Sequence, residues 1–451
     1  MKQISLLITF LLLSQILLSQ NDNPKTYRFS LEEAINFAIE NNYSSINASR
    51  DIESSKQKKW ETTAAGLPQI NAVMDYTNNF NLQKQGVTGN AFGSSIGGDP
   101  NTVSTIAFGT KHSMNARATL SQLIFDGSYI VALQASKTYL QFYLNFKEKT
   151  DNDVREMVIN YYGNVLLAQE NILILKKNKT ALEKNVFEAK QTYKNGLIEE
   201  ESVEQLQITL ASITSSLNNV TRLVDVADKI LKITLGLDID DELLLTEKLD
   251  DLTSKNVDLS FVSDPFNVTN NVDYKIAENF KEQRRLEYKR EKATYLPSLT
   301  ANLNLGYNSF ANTFEFLSQD QKWNNFSNLG VSLNVPIFSS FGRKAKNQQA
   351  KIAFDQAKTQ LTEAGQMLRL RYQSAKSDYE FSIEEYATSK SNLSLAERIE
   401  SKQQIKFQEG LSTSFEFSEA QRQLYAAQQS YLQSMINVIN KKTALDKIAN
   451  K

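Results

Sequence analysis

The side chains able to do chemistry are few and mostly acidic. Glu416 and Glu419 stand three residues apart, and Glu199, Glu200, Glu201 and Glu204 crowd a second stretch. Three apart on a helix, two carboxylates face one side and can attract cations, whereas neighbours such as Glu384 and Glu385 point apart and form no acid–base pair. His112 is the sole histidine and there is no cysteine. That excludes disulfides, thiol nucleophiles, thiolate or histidine-cluster metal sites, and a lipid anchor on an N-terminal cysteine. No phosphate loop, dinucleotide fingerprint, zinc-protease pair or nucleophile elbow occurs. The sequence therefore predicts no enzyme, no cofactor and no metal. Fifty basic against 51 acidic residues, a net charge of −1, give no reason to expect nucleic acid.

Two further points bear on function through backbone geometry. Gly196-Leu197 and Gly410-Leu411 each follow a long helical pattern. Glycine permits the positive φ that ends a helix, and the leucine after it offers an apolar anchor.

The elements carrying these residues are written twice in the chain. Leu67-Pro68-Gln69-Ile70-Asn71-Ala72 returns as Leu296-Pro297-Ser298-Leu299-Thr300-Ala301. Leu120-Ser121-Gln122-Leu123-Ile124-Phe125 returns as Leu333-Asn334-Val335-Pro336-Ile337-Phe338, and Tyr193-Lys194-Asn195-Gly196-Leu197 as Phe407-Gln408-Glu409-Gly410-Leu411. Order and offset are kept, which argues for an internal duplication. The division expected is a signal peptide over 1–20, a first repeat over 21–235, a linker over 236–272 and a second repeat over 273–451. The signal peptide is read from Lys2, the apolar run Ile4 to Leu18 and the absence of a full membrane-span length, with cleavage near Gln20.

Each repeat opens with a helix. Ser30-Leu31-Glu32-Glu33 is a capping box, and the pattern runs to about Ala65 and stops before Pro68. The second opening helix is expected from about Asp273 to Tyr295. Strands follow, with a period of two. Leu299, Ala301, Leu303, Leu305 and Tyr307 alternate with Thr300, Asn302, Asn304 and Asn308, and Leu329 to Ile337 alternate with Gly330, Ser332 and Asn334. Ile70, Ala72, Met74, Tyr76 and Met114, Ala116, Ala118, Leu120 repeat the pattern in the first copy. Runs of about ten residues suit tilted membrane strands. Polar loops are expected over 83–111 and 308–328, the second with Phe310, Phe314, Phe316, Trp323 and Phe326 as an interface girdle or as loop packing.

A very long helix closes each repeat, from about Ser128 to Lys194 and from Gly342 to about Gln408, with returns over 203–235 and 415–449. Val154, Val158, Tyr161, Val165, Ala168, Ile172 and Leu175 make a coiled-coil seam, and Leu361, Ala364, Leu368, Tyr372, Ala375, Tyr379, Ile383 and Tyr386 a second. Such a hairpin needs neighbours to cover its seam. Four strands cannot close a barrel, and open edges are not tolerated in lipid. Copies must therefore associate. A dimer gives eight strands and a trimer twelve, and the polar face of Thr300, Asn302 and Asn304 fits a wet lumen better than a packed one.

These residues resemble the TolC-like outer-membrane efflux proteins. The likeness rests on Leu31-Glu32-Glu33-Ala34-Ile35-Asn36-Phe37-Ala38-Ile39-Glu40-Asn41-Asn42, both Leu-Pro strand starts, both Gly-Leu turns and Leu235-Gly236-Leu237 before an acidic linker. It spans the chain beyond the signal peptide. What it implies is an α+β membrane protein whose long α-helical hairpins form a coiled-coil tunnel. Four transmembrane β-strands per chain would complete a trimeric 12-stranded β-barrel in a Gram-negative outer membrane. It also implies a homotrimer, a periplasmic adaptor, an inner-membrane transporter and contact with outer-membrane lipid, in a system that exports small molecules. By this resemblance Gly196, Leu197, Gly410 and Leu411 form the adaptor-contact tip, and Glu416 and Glu419 line the pore constriction. In the family an acidic and a basic residue often stand at the places of Ser202 and Ser412; neither charge is present here. A type I protein-secretion conduit and a non-conducting coiled-coil scaffold or adhesin are the alternatives.

Overall fold

The computed structural model describes residues 25–88, 103–258 and 266–450; the expected signal peptide lies outside them. The chain divides into two compact units. One takes the described parts of Met1–Glu53, Phe142–Glu278 and Thr359–Lys451, the other Ser54–Gln141 and Asn279–Lys358.

The order helix, sheet strands, long helix and return helix occurs twice, with additions in the first half. In the first half, strand β1 (Thr26–Phe29) and helices α1 (Leu31–Asn41) and α2 (Tyr43–Ala64) precede β2 (Gln69–Asn78), β3 (Lys84–Thr88), β4 (Val103–Ala107) and β5 (His112–Asp126). The long helix α3 (Gly127–Lys194) and its return α4 (Glu200–Leu235) follow. The linker supplies β6 (Glu242–Leu245) and α5 (Leu249–Asn256). The second half runs α6 (Val272–Ala293), β7 (Ser298–Ala311), β8 (Asn324–Asn334), α7 (Gly342–Gln408) and α8 (Ser414–Ala449).

Three local features depart from the sequence pattern. The opening helix is two helices, not one. Asn42 takes an extended conformation between them, donating its amide to the Thr234 carbonyl at 2.7 Å and accepting from the Ser44 amide at 2.8 Å. A residue that offers the backbone a competing partner is a natural break. The polar stretch 83–111 contains an antiparallel pair, β3 with β4. Finally, β1 and β6 pair in parallel, Thr26 opposite Glu242 through Phe29 opposite Leu245.

The helical unit is cored by Ala34, Ile35 and Ala38 of α1, Val154, Val158, Tyr162 and Val165 of α3, Leu231 and Leu235 of α4, and Leu432, Met435, Ile436 and Ile439 of α8. Of the first expected seam, Val154, Val158, Val165 and Leu175 are buried. Tyr162, not Tyr161, is the fully buried tyrosine, and its hydroxyl donates to the Phe29 carbonyl at 3.1 Å. Burial pushes that hydroxyl up to about 12. In the second seam Leu368 and Tyr379 are buried, and the Tyr379 hydroxyl donates to the Asn256 carbonyl at 2.6 Å. Gly163 sits in α3 because a Cβ there would lie 2.4 Å from Cδ1 of Ile436.

The other unit holds an antiparallel sheet in the order β2-β5-β7-β8. Its register sets Ala72 against Ala118, Ala118 against Leu305, and Leu303 against Leu329. One side of Phe316 packs on Tyr76, Phe314 and Trp323, and Phe316 itself is buried. Phe314, Phe316 and Trp323, three of the five loop aromatics, thus form a cluster on Tyr76 near the end of β2. No described helix is long and apolar enough to cross a membrane.

Candidate functional site: an open amphipathic sheet and a paired helical tip

The sheet puts polar and apolar side chains on opposite faces, as a period of two requires. Asn115 bonds Asn308 across β5 and β7, Thr119 donates to Asn304 at 2.7 Å, and Asn304 to Asn328 at 2.9 Å. With Gln69, Asn71, Asp75, Arg117, Ser121, Thr300, Asn302 and Ser332 at register positions on that side, this face is predominantly polar, broken by Val73 and Phe326. The other is apolar and uncovered: Ile70 is 75% exposed, Leu329 70% and Val331 62%. The first and last strands, β2 and β8, each pair on one side only. Two edges of ten and eleven residues are therefore left with unpaired backbone groups. A sheet in water covers such a face and blunts such edges; this one does neither.

In the helical unit, the two long hairpins end alike. Gly196 takes φ +74° and Gly410 φ +72°. The Leu197 amide donates to the Thr192 carbonyl at 3.2 Å and the Gly196 amide to Tyr193 at 2.8 Å; Leu411 to Lys406 and Gly410 to Phe407 repeat this at 2.7 and 3.1 Å. Both are Schellman closures, in which the apolar residue after the glycine commonly packs back on its own helix. Here it does not: Leu197 is 74% exposed and Leu411 78%. Behind them Val186, Ala189, Val203, Leu206 and Phe417 form a buried cluster with Ile198, Leu210 and Phe407, so the two hairpin ends share one small core.

Glu416 and Glu419 both lie in the first turns of α8, Glu416 exposed and Glu419 half-buried. Thr413 is the N-cap: its hydroxyl accepts from the Glu416 amide at 3.2 Å, while the Glu416 carboxylate accepts from the Thr413 amide at 3.0 Å and the Ser412 hydroxyl at 2.8 Å. The bond from the Thr413 amide, then that from Ser412, holds Glu416 below the ordinary carboxylate value. Glu419 is bonded to Arg422 and accepts from Gln423 at 3.3 Å; the Arg422 bond chiefly holds it down. Arg422 is a partner that the acidic pattern alone did not suggest, three residues on from Glu419. Ser412, uncharged, donates to Glu416. The pattern Thr413-x-x-Glu416 was a readable capping signal. Glu200 and Glu201 occupy the first turn of α4 beyond its N-cap Glu199, where the helix dipole favours negative charge.

Comparison with known proteins agrees with this geometry. Residues 269–451 match the family described as outer membrane efflux protein. Among solved structures, the outer membrane protein VceC of Vibrio cholerae superposes with TM-score 0.70 at 15% identity, covering 93% of this chain and 95% of that one. The CmeC outer membrane channel of Campylobacter jejuni gives 0.71 at 16%, covering 93% and 85%. The open state of the Neisseria gonorrhoeae MtrE outer membrane channel gives 0.71 at 16%, covering 93% and 88%. No curated protein sequence matches the chain. The TolC-like resemblance therefore stands, in sequence over residues 269–451 and in fold over nearly the whole chain.

Proposed function

We propose that this chain, whose residues 269–451 match the outer membrane efflux protein family, is the outer-membrane channel subunit of a tripartite efflux system exporting small molecules from a Gram-negative periplasm. The observation that carries this reading is the sheet, with its bare apolar face, its amide-lined opposite face and its two unpaired edges. In lipid an unpaired edge costs several kcal/mol per group, so a spanning sheet must close. Four strands from each of three copies give a barrel of twelve, wide enough for a water-filled lumen behind the polar face. The apolar face then meets outer-membrane lipid.

The helical hairpins extend the conduit into the periplasm and end at the tip. Leu197 and Leu411, open on glycine-ended helices, suit an adaptor that couples the channel to an inner-membrane transporter. Glu416 and Glu419 become two stacked acidic rings under threefold symmetry, the lower-numbered one fixed by its cap and the other tempered by Arg422. Rings of carboxylates attract cations and resist anions. The cargo passes without covalent change. In this reading the repeats over 21–235 and 273–451, joined by 236–272, each contribute one pair of barrel strands and one tunnel hairpin.

Native mass measurement of the detergent-purified chain tests the closure. A trimer is expected, and a monomer that keeps its sheet, with both edges exchanging freely with solvent deuterium, would overturn it.

A further inference from the structure

Lysine and arginine are unevenly placed along the chain. Four segments lead into and out of the sheet at one of its ends: 54–68 before β2, 127–141 after β5, 279–297 before β7 and 335–358 after β8. The register brings those strand ends together, with Gln69 opposite Ser121 and Ser298 opposite both Asp126 and Asn334. In a chain of net charge −1, these segments hold fifteen basic residues and five acidic ones. The five acids are already engaged. Glu61 pairs with Lys58, Glu282 with Arg285, Glu287 with Arg284, Glu291 with Arg290 and Asp355 with Lys358. Lys292, Lys344, Lys346 and Lys351 are exposed, and among the described residues none of them pairs with a carboxylate. A basic band therefore stands uncancelled beside one end of the sheet.

Between the strand ends and these charges lies a rim of uncovered apolar side chains. Ile337 is 92% exposed, Phe338 73% and Phe341 71%, and Tyr295 and Leu296 lie open before β7. Ser340 and Phe341 hold φ of +48° and +63°, a left-handed conformation that a residue with a Cβ takes at a steric cost. Burial does not offset that cost, since the Phe341 ring meets Phe338 edge-on at 5.8 Å and otherwise stays open. The Arg343 guanidinium lies 5.6 Å from the centre of the Tyr295 ring and donates to the Pro336 carbonyl at 3.0 Å. It thereby ties the segment before β7 to the segment after β8. Rings held open in this way gain nothing from water. At a membrane interface they sit at headgroup level, and cations just beyond them meet the phosphates. Lys292 stands six residues before Ser298 and Lys344 ten after Asn334, and long basic side chains extend toward that level.

We propose that this basic band binds the anionic phospholipid headgroups of the periplasmic leaflet and so fixes the depth of the sheet in the outer membrane. The inference rests on the channel reading above, which sets the apolar face of the sheet in lipid. The sign of the charge selects an anionic headgroup over a zwitterionic one. In a trimer the excess repeats three times round one ring, where like charges repel unless an anionic surface meets them. Each cation near such a surface favours it roughly fivefold.

Trp60, 61% exposed and next to Lys59, reports on the band once Trp323→Phe removes the second tryptophan. The full-length protein in that background is folded into mixed vesicles of phosphatidylcholine and phosphatidylglycerol, with a shallow chain spin label on one lipid or the other. Labelled phosphatidylglycerol is expected to quench Trp60 roughly fivefold more strongly than labelled phosphatidylcholine. The ratio should fall toward one in ~1 M salt, where screening acts within about 3 Å. Lys292→Gln, Lys344→Gln, Lys346→Gln and Lys351→Gln together should also bring it toward one, while arginine at the same four positions keeps it. Should the fourfold glutamine variant fail to insert, Lys344→Gln with Lys346→Gln carries the comparison with a smaller shift. A ratio near one without substitution, or a ratio that the glutamines leave unchanged, would overturn the proposal. Absence of quenching by either lipid would overturn it too, by setting the band away from the bilayer. A ratio near one with a reversal potential moved by the glutamines would place these cations in the lumen instead. A chain that inserts into neither vesicle removes the channel reading and this inference together, whereas one that inserts and conducts with a ratio near one loses this inference alone.

Discussion

Val331 and Ser332 are neighbours on β8 that face opposite sides of the sheet, Val331 opposite Ala301 and Ser332 opposite Thr300. Both are exposed in the single chain. If the sheet stands in water, an arginine at either position changes stability by no more than about 0.5 kcal/mol, the usual range for exposed sites. If the apolar face meets lipid, Val331→Arg places a guanidinium near the middle of the run Leu329, Val331, Leu333, at a cost of ~2–4 kcal/mol. That is roughly a 30- to 1,000-fold loss in the folded population per chain, at ~1.4 kcal/mol per tenfold. Ser332→Arg points into the wet side and stays near zero. Urea unfolding of the protein folded into vesicles measures both, with the midpoint shift times the slope giving the difference. Equal midpoints for the two variants would refute the assignment of faces. A larger loss for Ser332→Arg would invert it.

Three other outcomes follow from the tip. Thr413→Ala removes the acceptor for the Glu416 amide and should cost ~1 kcal/mol, seen as about fivefold faster amide exchange at the start of α8. Leu197→Ser with Leu411→Ser should leave assembly and conductance unchanged while weakening adaptor binding at least tenfold in a titration with the purified periplasmic adaptor. Glu416 and Glu419 are both held below the ordinary value of 4.5. Their contribution to tip stability is therefore fully present above 4.5 and lost as pH falls through the depressed folded values. Cation selectivity should accordingly persist at pH 4.5 and fade only below it, as reversal potentials across a pH series would record.

The strands were legible because a period of two survives wherever one face is apolar, as at Leu299 to Tyr307. The long helices were legible because proline is absent and the seams keep heptad spacing. Features made by residues far apart were not. β1 and β6 pair across 216 positions, and nothing in a four-residue strand announces so distant a partner. The break at Asn42 depends on the Thr234 carbonyl, which no local pattern contains. Tyr161 and Tyr162 differ by one step on the helix, and the acceptor for the second, the Phe29 carbonyl, lies 133 positions away. At the tip the glycine closures were readable from Gly-Leu alone, since glycine takes a positive φ without the steric cost a Cβ brings. The restraint of Glu419 by Arg422 was readable too, at a helical spacing of three, but an acidic pattern draws attention away from the base beside it.

The most direct test of the conduit is single-channel recording from the purified protein in a planar bilayer, beside the Glu416→Ala, Glu419→Ala double variant. Small cation-selective openings, with selectivity lost in the variant, are the predicted result. A correctly inserted trimer that never conducts, even with the adaptor present, would contradict the account.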